Sequence, residues 1–247
     1  MKSIRPALLF LALACAACGA RASQASATPL ATPTFTATST LVPSPVPVSP
    51  TSSPTLRPVP RTFTEAFDLQ PATWSLAEVD NGQPFAGPTT RDGFLVFDLA
   101  SSNQWAYALY AVHDYADVTI ETEMQSRTAG DGAGGVVCRY DENKGWYEFN
   151  IRQDQTYELL FGQWLAPGVA RYTPLYQSRS EKITSEANRI ALQCQGNILT
   201  PSINGVQLRR WQEQKFGLQE GQSGLSASSF DDAPFTIAFD WVKVSEP

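Results

Sequence analysis

The chain has 247 residues, with 18 Lys and Arg, 24 Asp and Glu and one histidine, so its formal net charge at pH 7 is −6. All 24 acidic residues lie after residue 62, where only 13 of the 18 basic residues occur, which leaves that part with a net charge of −11. Nucleic acid and anionic membrane surfaces are disfavoured as partners, because both require clustered Lys and Arg. A single histidine also excludes a His-rich zinc site.

The first 18 residues have the layout of a lipoprotein-type signal peptide. Two positive charges precede a short, mainly apolar run that is too short to span a bilayer. The stretch LALACAACGA resembles the lipobox of bacterial lipoproteins, in which a cysteine is lipidated after cleavage. Cys18 is the preferred position and Cys15 the alternative, and an ordinary secretory peptide is the other interpretation. The resemblance implies export and a lipid anchor on the extracytoplasmic face of the cell membrane.

Residues 19–62 are composed mostly of Pro, Thr, Ser, Ala and Val and contain no acidic residue. Such a segment cannot pack a core, and its prolines favour polyproline-type extension of about 3 Å per residue. We therefore expect a disordered linker that acts as a stalk for the domain that follows.

Residues 63–247 are predicted to form one all-β domain. Runs of β-branched and aromatic residues recur between turn signals, and almost no window has an extended helical period. About eleven strands are predicted by this pattern. They are TWSLAEV, GFLVFDL, WAYALYAV, DVTIETEM, GGVVCRY, GWYEFNIR, TYELLFG, NRIALQC, NILTPSIN, SGLSAS and FTIAFDWVKV.

The pattern of these strands resembles the concanavalin A-like jelly roll, and within it the laminin-G-like and 3-keto-disaccharide-hydrolase-like group. The segments that carry the resemblance are TFTEAFDLQPATWSL, GGVVCRYDENKGWYEFNIRQDQTYELL, NRIALQCQGNILTPSINGVQL and GQSGLSASSFDDAPFTIAFDWVKV. It implies an antiparallel sandwich of two sheets. Asn204-Gly205 independently predicts a tight hairpin, because type I′ turns need two residues with positive φ.

Two cysteines, Cys138 and Cys194, lie within the predicted domain. Each lies in a β-like run with apolar residues at alternate positions, so both could point into one core. Export permits a disulfide, and we expect the two to pair; two buried free thiols are the alternative.

The run from residue 146 to 152 carries the predicted binding face. Alternation puts Tyr147, Phe149 and Ile151 on the core side and Trp146, Glu148, Asn150 and Arg152 on the other side. Arg139 would face the same way from the preceding strand. This face is either ordinary solvent-facing sheet or the sugar-binding platform that the resemblance implies. The predicted ligand-binding residues, with the tryptophans that could also stack on a sugar, are Arg139, Trp146, Glu148, Asn150, Trp105 and Trp164.

A catalytic alternative is suggested by Glu121 and Glu123 in DVTIETEMQS. This stretch is similar to the strand of family-16 glucanases that carries the catalytic carboxylates. Carboxylates two residues apart on one strand lie on the same face, and retaining hydrolysis needs two carboxyl groups roughly 5 Å apart. Gln125 stands where that family has a carboxylate, so an enzyme would need another carboxyl group such as Glu148 to converge on the pair.

No cofactor is predicted, with a structural Ca²⁺ as the open alternative. Jelly-roll domains of this resemblance often bind calcium, and Asp231, Asp232 and Asp240 supply oxygen ligands near the C-terminus. Their spacing matches no known calcium loop, and Asp-Asp-Ala-Pro equally reads as a turn.

These observations favour a cell-surface lipoprotein that displays a non-catalytic carbohydrate-binding or adhesion domain. Its partner would be a glycan or cell-wall polysaccharide, with membrane contact only through the N-terminal lipid. An exported glycoside hydrolase with Glu121, Glu123 and Glu148 is the first alternative, and a protein-binding sensory ectodomain is the second.

Overall fold

The computed structural model describes residues 59–79 and 82–247. The predicted signal peptide and most of the predicted linker lie outside the described residues. Within the described ranges the chain is built from β-strands without any helix, so it holds no helix long and apolar enough to cross a membrane.

Sixteen strands are present in the described part of the chain. They are β1 (Phe63–Glu65), β2 (Trp74–Val79), β3 (Thr89–Arg91), β4 (Phe94–Leu99), β5 (Trp105–Tyr115), β6 (Val118–Ser126), β7 (Gly132–Asp141), β8 (Gly145–Arg152), β9 (Thr156–Ala166), β10 (Val169–Arg179), β11 (Asn188–Gln195), β12 (Ile198–Ile203), β13 (Val206–Gln207), β14 (Trp211–Gln212), β15 (Gly221–Ser229) and β16 (Phe235–Ser245).

The strands form two antiparallel sheets. The first sheet has the order β13-β12-β11-β6-β16-β4-β3, with β1 beside β16 and β14 beside β12. The second has the order β10-β9-β8-β7-β15-β5-β2. Consecutive strands β7, β8 and β9 pair as the predicted meander. The predicted all-β sandwich of two sheets is therefore confirmed.

The main core lies between the two sheets, where alternate residues from both meet. Tyr147, Phe149 and Ile151 point into it from β8, as the alternation predicts, and Leu192 and Phe239 meet them from the first sheet. Each fully buried side chain of this size contributes about 1.5–3 kcal/mol to the stability of the fold.

The predicted disulfide between Cys138 and Cys194 is confirmed. Cys138 lies on β7 of the second sheet and Cys194 on β11 of the first, with their Cα atoms 6.7 Å apart. Both residues are fully buried in the main core. The bond therefore joins the two layers of the sandwich through its interior.

The second sheet curves strongly, so the face turned away from the main core is concave. Tyr107 on β5 and Tyr172 on β10 share a hydrogen bond of 2.8 Å between their hydroxyl oxygens, although four strands separate β5 from β10 in the sheet. The ring of Trp105 also stacks on that of Tyr172, with centroids 5.5 Å apart. Side chains from distant strands can meet only if the sheet folds towards them.

This concave face is filled by a second apolar cluster, here called the aromatic cluster. Its buried members are Tyr107, Leu109, Val137 and Trp146, and partly exposed side chains pack around them, chiefly Trp105, Tyr140, Trp164 and Tyr172.

Candidate functional site

The four residues predicted to bind a ligand are buried, so the prediction that they face solvent is wrong. Their exposed fractions are 0% for Trp146, 2% for Glu148, 6% for Asn150 and 2% for Arg139. Alternation assigned Trp146, Glu148 and Asn150 correctly to the face opposite the main core. The curvature of the second sheet then covers that face with side chains of the chain itself.

Trp146 is the centre of the aromatic cluster and offers no free ring face to a sugar. Its ring centroid lies 4.9 Å from that of Tyr107 and 4.9 Å from that of Trp164. The other side of the ring lies against Gly162, where a Cβ atom would approach the indole to 2.3 Å. Only glycine at residue 162 leaves room for the indole in this position.

Glu148 orients the buried indole instead of binding a ligand. Its carboxylate accepts hydrogen bonds from Trp146 Nε1 at 3.1 Å, Ser226 Oγ at 2.8 Å and Asn150 Nδ2 at 3.2 Å. Burial raises the pKa of Glu148, and the hydrogen bonds oppose that rise only in part. A carboxylate surrounded in this way fixes the side chains around it.

Arg139 is turned out of the predicted face by a β-bulge. The pairing of β7 with β8 shifts register between Cys138 and Asp141, and Arg139 has a φ of 53°. Its guanidinium donates hydrogen bonds to the carbonyl oxygens of Ala116, at 2.8 and 2.6 Å, and Leu218, at 3.0 Å. The side chain therefore braces two loops.

The three carboxylates of the catalytic alternative do not converge. Glu121 and Glu123 lie on β6 in the first sheet, where Arg189 binds Glu121 at 2.7 Å. Glu148 lies in the second sheet, on the face turned away from the core that separates the layers. Packed sheets are about 10 Å apart, which is already beyond the roughly 5 Å that retaining hydrolysis requires.

Glu158 is a second carboxyl group on the concave face. It is paired across the sheet with Asn150 and is partly exposed. Burial raises the pKa of Glu158, and the nearby charge of Glu148 raises it further. Because Glu148 is covered, the two cannot act together on one substrate.

An open groove lies beside the aromatic cluster. Its floor and walls come from β2, the β7–β8 turn and the β9–β10 hairpin, and its volume is about 480 Å³. The lining includes the rings of Tyr140 and Trp164, the polar residues Glu78, Glu142 and Asn143, and the hairpin residues 165–168. A neighbouring cavity of about 660 Å³ shares Ala77, Tyr140, Glu142 and Asn143 with it. Both volumes fall within the usual range for small-molecule sites.

The rings of Tyr140 and Trp164 in the groove are supported by the buried ring of Trp146. The ring of Tyr140 lies 5.7 Å from that of Trp146, and Tyr140 and Trp164 meet edge to face at 6.3 Å. Both rings are partly exposed. Supported rings of this kind form a rigid apolar surface whose ordering costs little entropy on binding.

The polar side of the groove is the turn between β7 and β8. Asp141 accepts hydrogen bonds from the backbone N–H groups of Asn143, at 2.9 Å, and Lys144, at 3.1 Å. The hydrogen bond from the Lys144 side chain is the main cause that lowers the pKa of Asp141. This turn holds the exposed side chains of Glu142 and Asn143 beside the rings.

Sequence reasoning found Trp164 but missed Tyr140 and the turn. The signal was available, because Asp-Glu-Asn-Lys-Gly is a polar turn directly between two strands. What the sequence did not reveal is the bulge at Arg139, which brings Tyr140 onto the concave face.

The residues suggested for calcium are not brought together. Among the described residues no group of three or more His, Cys, Asp and Glu side chains could hold a metal ion.

No protein-family model matches the chain, and no curated protein matches it. Several solved structures share its fold. A β-1,3-1,4-glucanase (lichenase) from a mouse hindgut metagenome aligns with a TM-score of 0.55 and 15% identity, over 75% of this chain and 99% of its own. The β-glucanase of Bacillus licheniformis aligns at 0.51 and 13%, over 75% and 98%.

A Bacillus subtilis protein of unknown function with a galectin-like fold aligns with a TM-score of 0.55 and 10% identity, over 74% of this chain and 94% of its own. At such identities the similarity concerns the fold alone. Together with the two antiparallel sheets, it shows that the described part of the chain has a two-sheet jelly-roll fold.

Proposed function

We propose that this protein is a non-catalytic carbohydrate-binding module whose ligand site is the groove between β2, the β7–β8 turn and the β9–β10 hairpin. The observation that carries the proposal is the pair of partly exposed rings, Tyr140 and Trp164, supported by the buried ring of Trp146. Aromatic faces of this kind stack on the apolar face of a pyranose, and the neighbouring Glu142 and Asn143 can bind its hydroxyl groups.

Binding without catalysis agrees best with the position of the carboxylates. Glu121 and Glu123 belong to the first sheet, and Glu148 is covered by the aromatic cluster. None of these three lines the groove or the neighbouring cavity. The solved structures of similar fold include glucanases, which supports a glycan as the class of ligand.

The test is binding of the purified protein to a panel of plant, microbial and cell-wall polysaccharides, with and without Ca²⁺. Trp164→Ala should weaken binding at least about tenfold, as expected when an aromatic anchor worth about 1.4 kcal/mol or more is removed. Trp241→Ala is the matched control, because Trp241 lies on the first sheet beneath Arg189. Thermal unfolding of each variant separates lost binding from lost structure.

Two results would contradict the proposal. Unchanged affinity in Trp164→Ala would remove the groove as the site. Soluble sugar released from any polysaccharide, followed by mass spectrometry, would show an enzyme in place of a binding module.

We further propose that the domain is displayed on the outer surface of the cell by a lipid on Cys18. The support is the lipobox-like sequence and the Pro/Thr/Ser-rich composition of residues 19–62. In an expressing bacterium, Cys18→Ala should move the protein out of the membrane fraction, whereas Cys15→Ala should leave it there. The opposite distribution would assign the lipid to Cys15, and an unaltered protein that is itself absent from the membrane fraction would point to an ordinary secretory peptide.

A further inference from the structure

The side chains around the groove are strongly acidic. Of the residues that the structure describes, two carboxylates, Glu78 and Glu142, line the groove itself, and no Lys or Arg does. The neighbouring cavity adds Asp114, Asp141 and Glu220, and Lys144 is the one cationic side chain among its described lining residues. Together the two spaces present five carboxylates and one ammonium group.

The single ammonium group is already committed. Lys144 Nζ lies 2.8 Å from Asp141 Oδ2, so these two charges largely cancel. The other four carboxylates, Glu78, Glu142, Asp114 and Glu220, form no salt bridge within the part of the chain that the structure describes.

Three arginines of the surrounding strands and loops bind groups other than these four carboxylates. Arg171 on β10 bonds to Gln163, at a position that alternates with Ala170 and Tyr172 and therefore faces away from the aromatic cluster. Arg61 is bound to Glu246 at 2.9 Å and also donates a hydrogen bond to the backbone carbonyl oxygen of Asp114 at 2.8 Å. Arg139 is buried against the carbonyl oxygens of Ala116 and Leu218. Among the described residues, no Lys or Arg therefore forms a salt bridge with Glu78 or Glu142 beside the rings.

We infer that the groove selects glycans that carry protonated amino groups, such as amino-sugar polymers without N-acetylation. This inference rests on the proposed function, since it names the class of sugar that the same groove would take. A protonated amine gains from the uncompensated carboxylates and from the faces of Trp164 and Tyr140, because cations are attracted to aromatic rings. A neutral sugar gains the stacking contact and the hydrogen bonds to its hydroxyl groups but no attraction between charges, and a uronic acid is repelled.

The experiment compares three β-1,4-linked hexasaccharides that differ only at C2, namely those of glucosamine, N-acetylglucosamine and glucose. Oligogalacturonate serves as the anionic probe. Affinities are measured by calorimetry at mildly acidic pH, where the sugar amines are protonated and exposed carboxylates are ionised. The glucosamine hexasaccharide should bind about fivefold or more tightly than the other two, and the preference should shrink as salt screens the exposed charges.

The double variant Glu78→Gln with Glu142→Gln should reduce this preference to about twofold or less, because it removes the two charges of the groove while keeping side chains that can bind hydroxyl groups. Glu181→Gln removes one charge from an exposed loop that lines neither space and should leave the preference intact. Both changes are on the surface, so unfolding is not expected to obscure the result.

The outcomes separate this inference from the proposed function. If glycans bind through Trp164 but the amino sugar is not preferred, or if the preference survives high salt and the double variant, the inference is overturned and the carbohydrate module stands. If no glycan in any panel binds, the proposed function fails and the inference falls with it.

Discussion

At the scale of single residues, Glu213 is a buried carboxylate that holds the loop lining one wall of the 660 Å³ cavity beside the groove. It accepts hydrogen bonds from the backbone N–H groups of Lys215 at 2.6 Å, Phe216 at 2.9 Å and Gly217 at 2.9 Å. The Tyr147 hydroxyl donates a fourth at 2.7 Å. Burial by itself raises the pKa of Glu213, but these donors outweigh it and lower the pKa overall.

The lowered pKa predicts how stability depends on pH. Between the folded-state pKa and the usual value near 4.3, the unfolded chain binds more protons, so stability rises with pH. The stabilisation is complete above that usual value and is lost as the pH falls through the folded-state pKa. Glu213→Gln should cost about 2 kcal/mol in the free energy of unfolding at neutral pH, and less in acid.

Urea unfolding of the protein and the variant at a series of pH values checks this prediction. Glu181→Gln is again the control, since Glu181 is exposed and should leave stability unchanged. A cost for Glu213→Gln that is constant from acid to neutral pH would mean that the charge of Glu213 has no part in holding the loop.

At the scale of elements, β10 determines how far the concave face is covered. Its Tyr172 reaches Tyr107 and Trp105 across the curved sheet and covers the centre of the face. This segment carries no strong strand signal, because Pro174 interrupts a stretch in which polar and apolar residues mix. Proline is tolerated at this position because β10 is an edge strand, where one N–H group needs no partner.

Other elements were predictable because their signals are local. The Asn-Gly turn between β12 and β13 has positive φ at both positions, 50° at Asn204 and 78° at Gly205, as the dipeptide indicates. The alternation of β8 correctly divided its side chains between the two faces. It did not reveal that the second face is covered, because alternation reports which face a residue occupies and not what packs on it.

At the scale of the whole molecule, the fold class followed from the sequence and the site did not. Strands in which apolar and polar residues alternate, separated by turns, specify an antiparallel sandwich almost irrespective of which individual side chains they carry. The position of the open groove depends instead on the curvature of the second sheet. That curvature results from many contacts around Trp146, from the space at Gly162 and from the bulge at Arg139. No short sequence motif encodes the combined effect of these contacts.

The disulfide gives a prediction for the molecule as a whole, because it joins the two sheets across 56 residues of sequence. Closing a loop of that length removes entropy from the unfolded chain, which in the chain-entropy model stabilises the fold by about 4 kcal/mol. The double variant Cys138→Ala with Cys194→Ala should therefore unfold with a free energy lower by about 2–4 kcal/mol, measured in urea under oxidising conditions.

Reduction of the unaltered protein should lower the free energy of unfolding by a similar amount, whereas the double variant should not respond to reductant. The groove of the double variant should still bind ligand at temperatures where the variant is folded, because neither cysteine lines the groove. A protein whose stability is unaffected by reductant would show that the bond does not contribute.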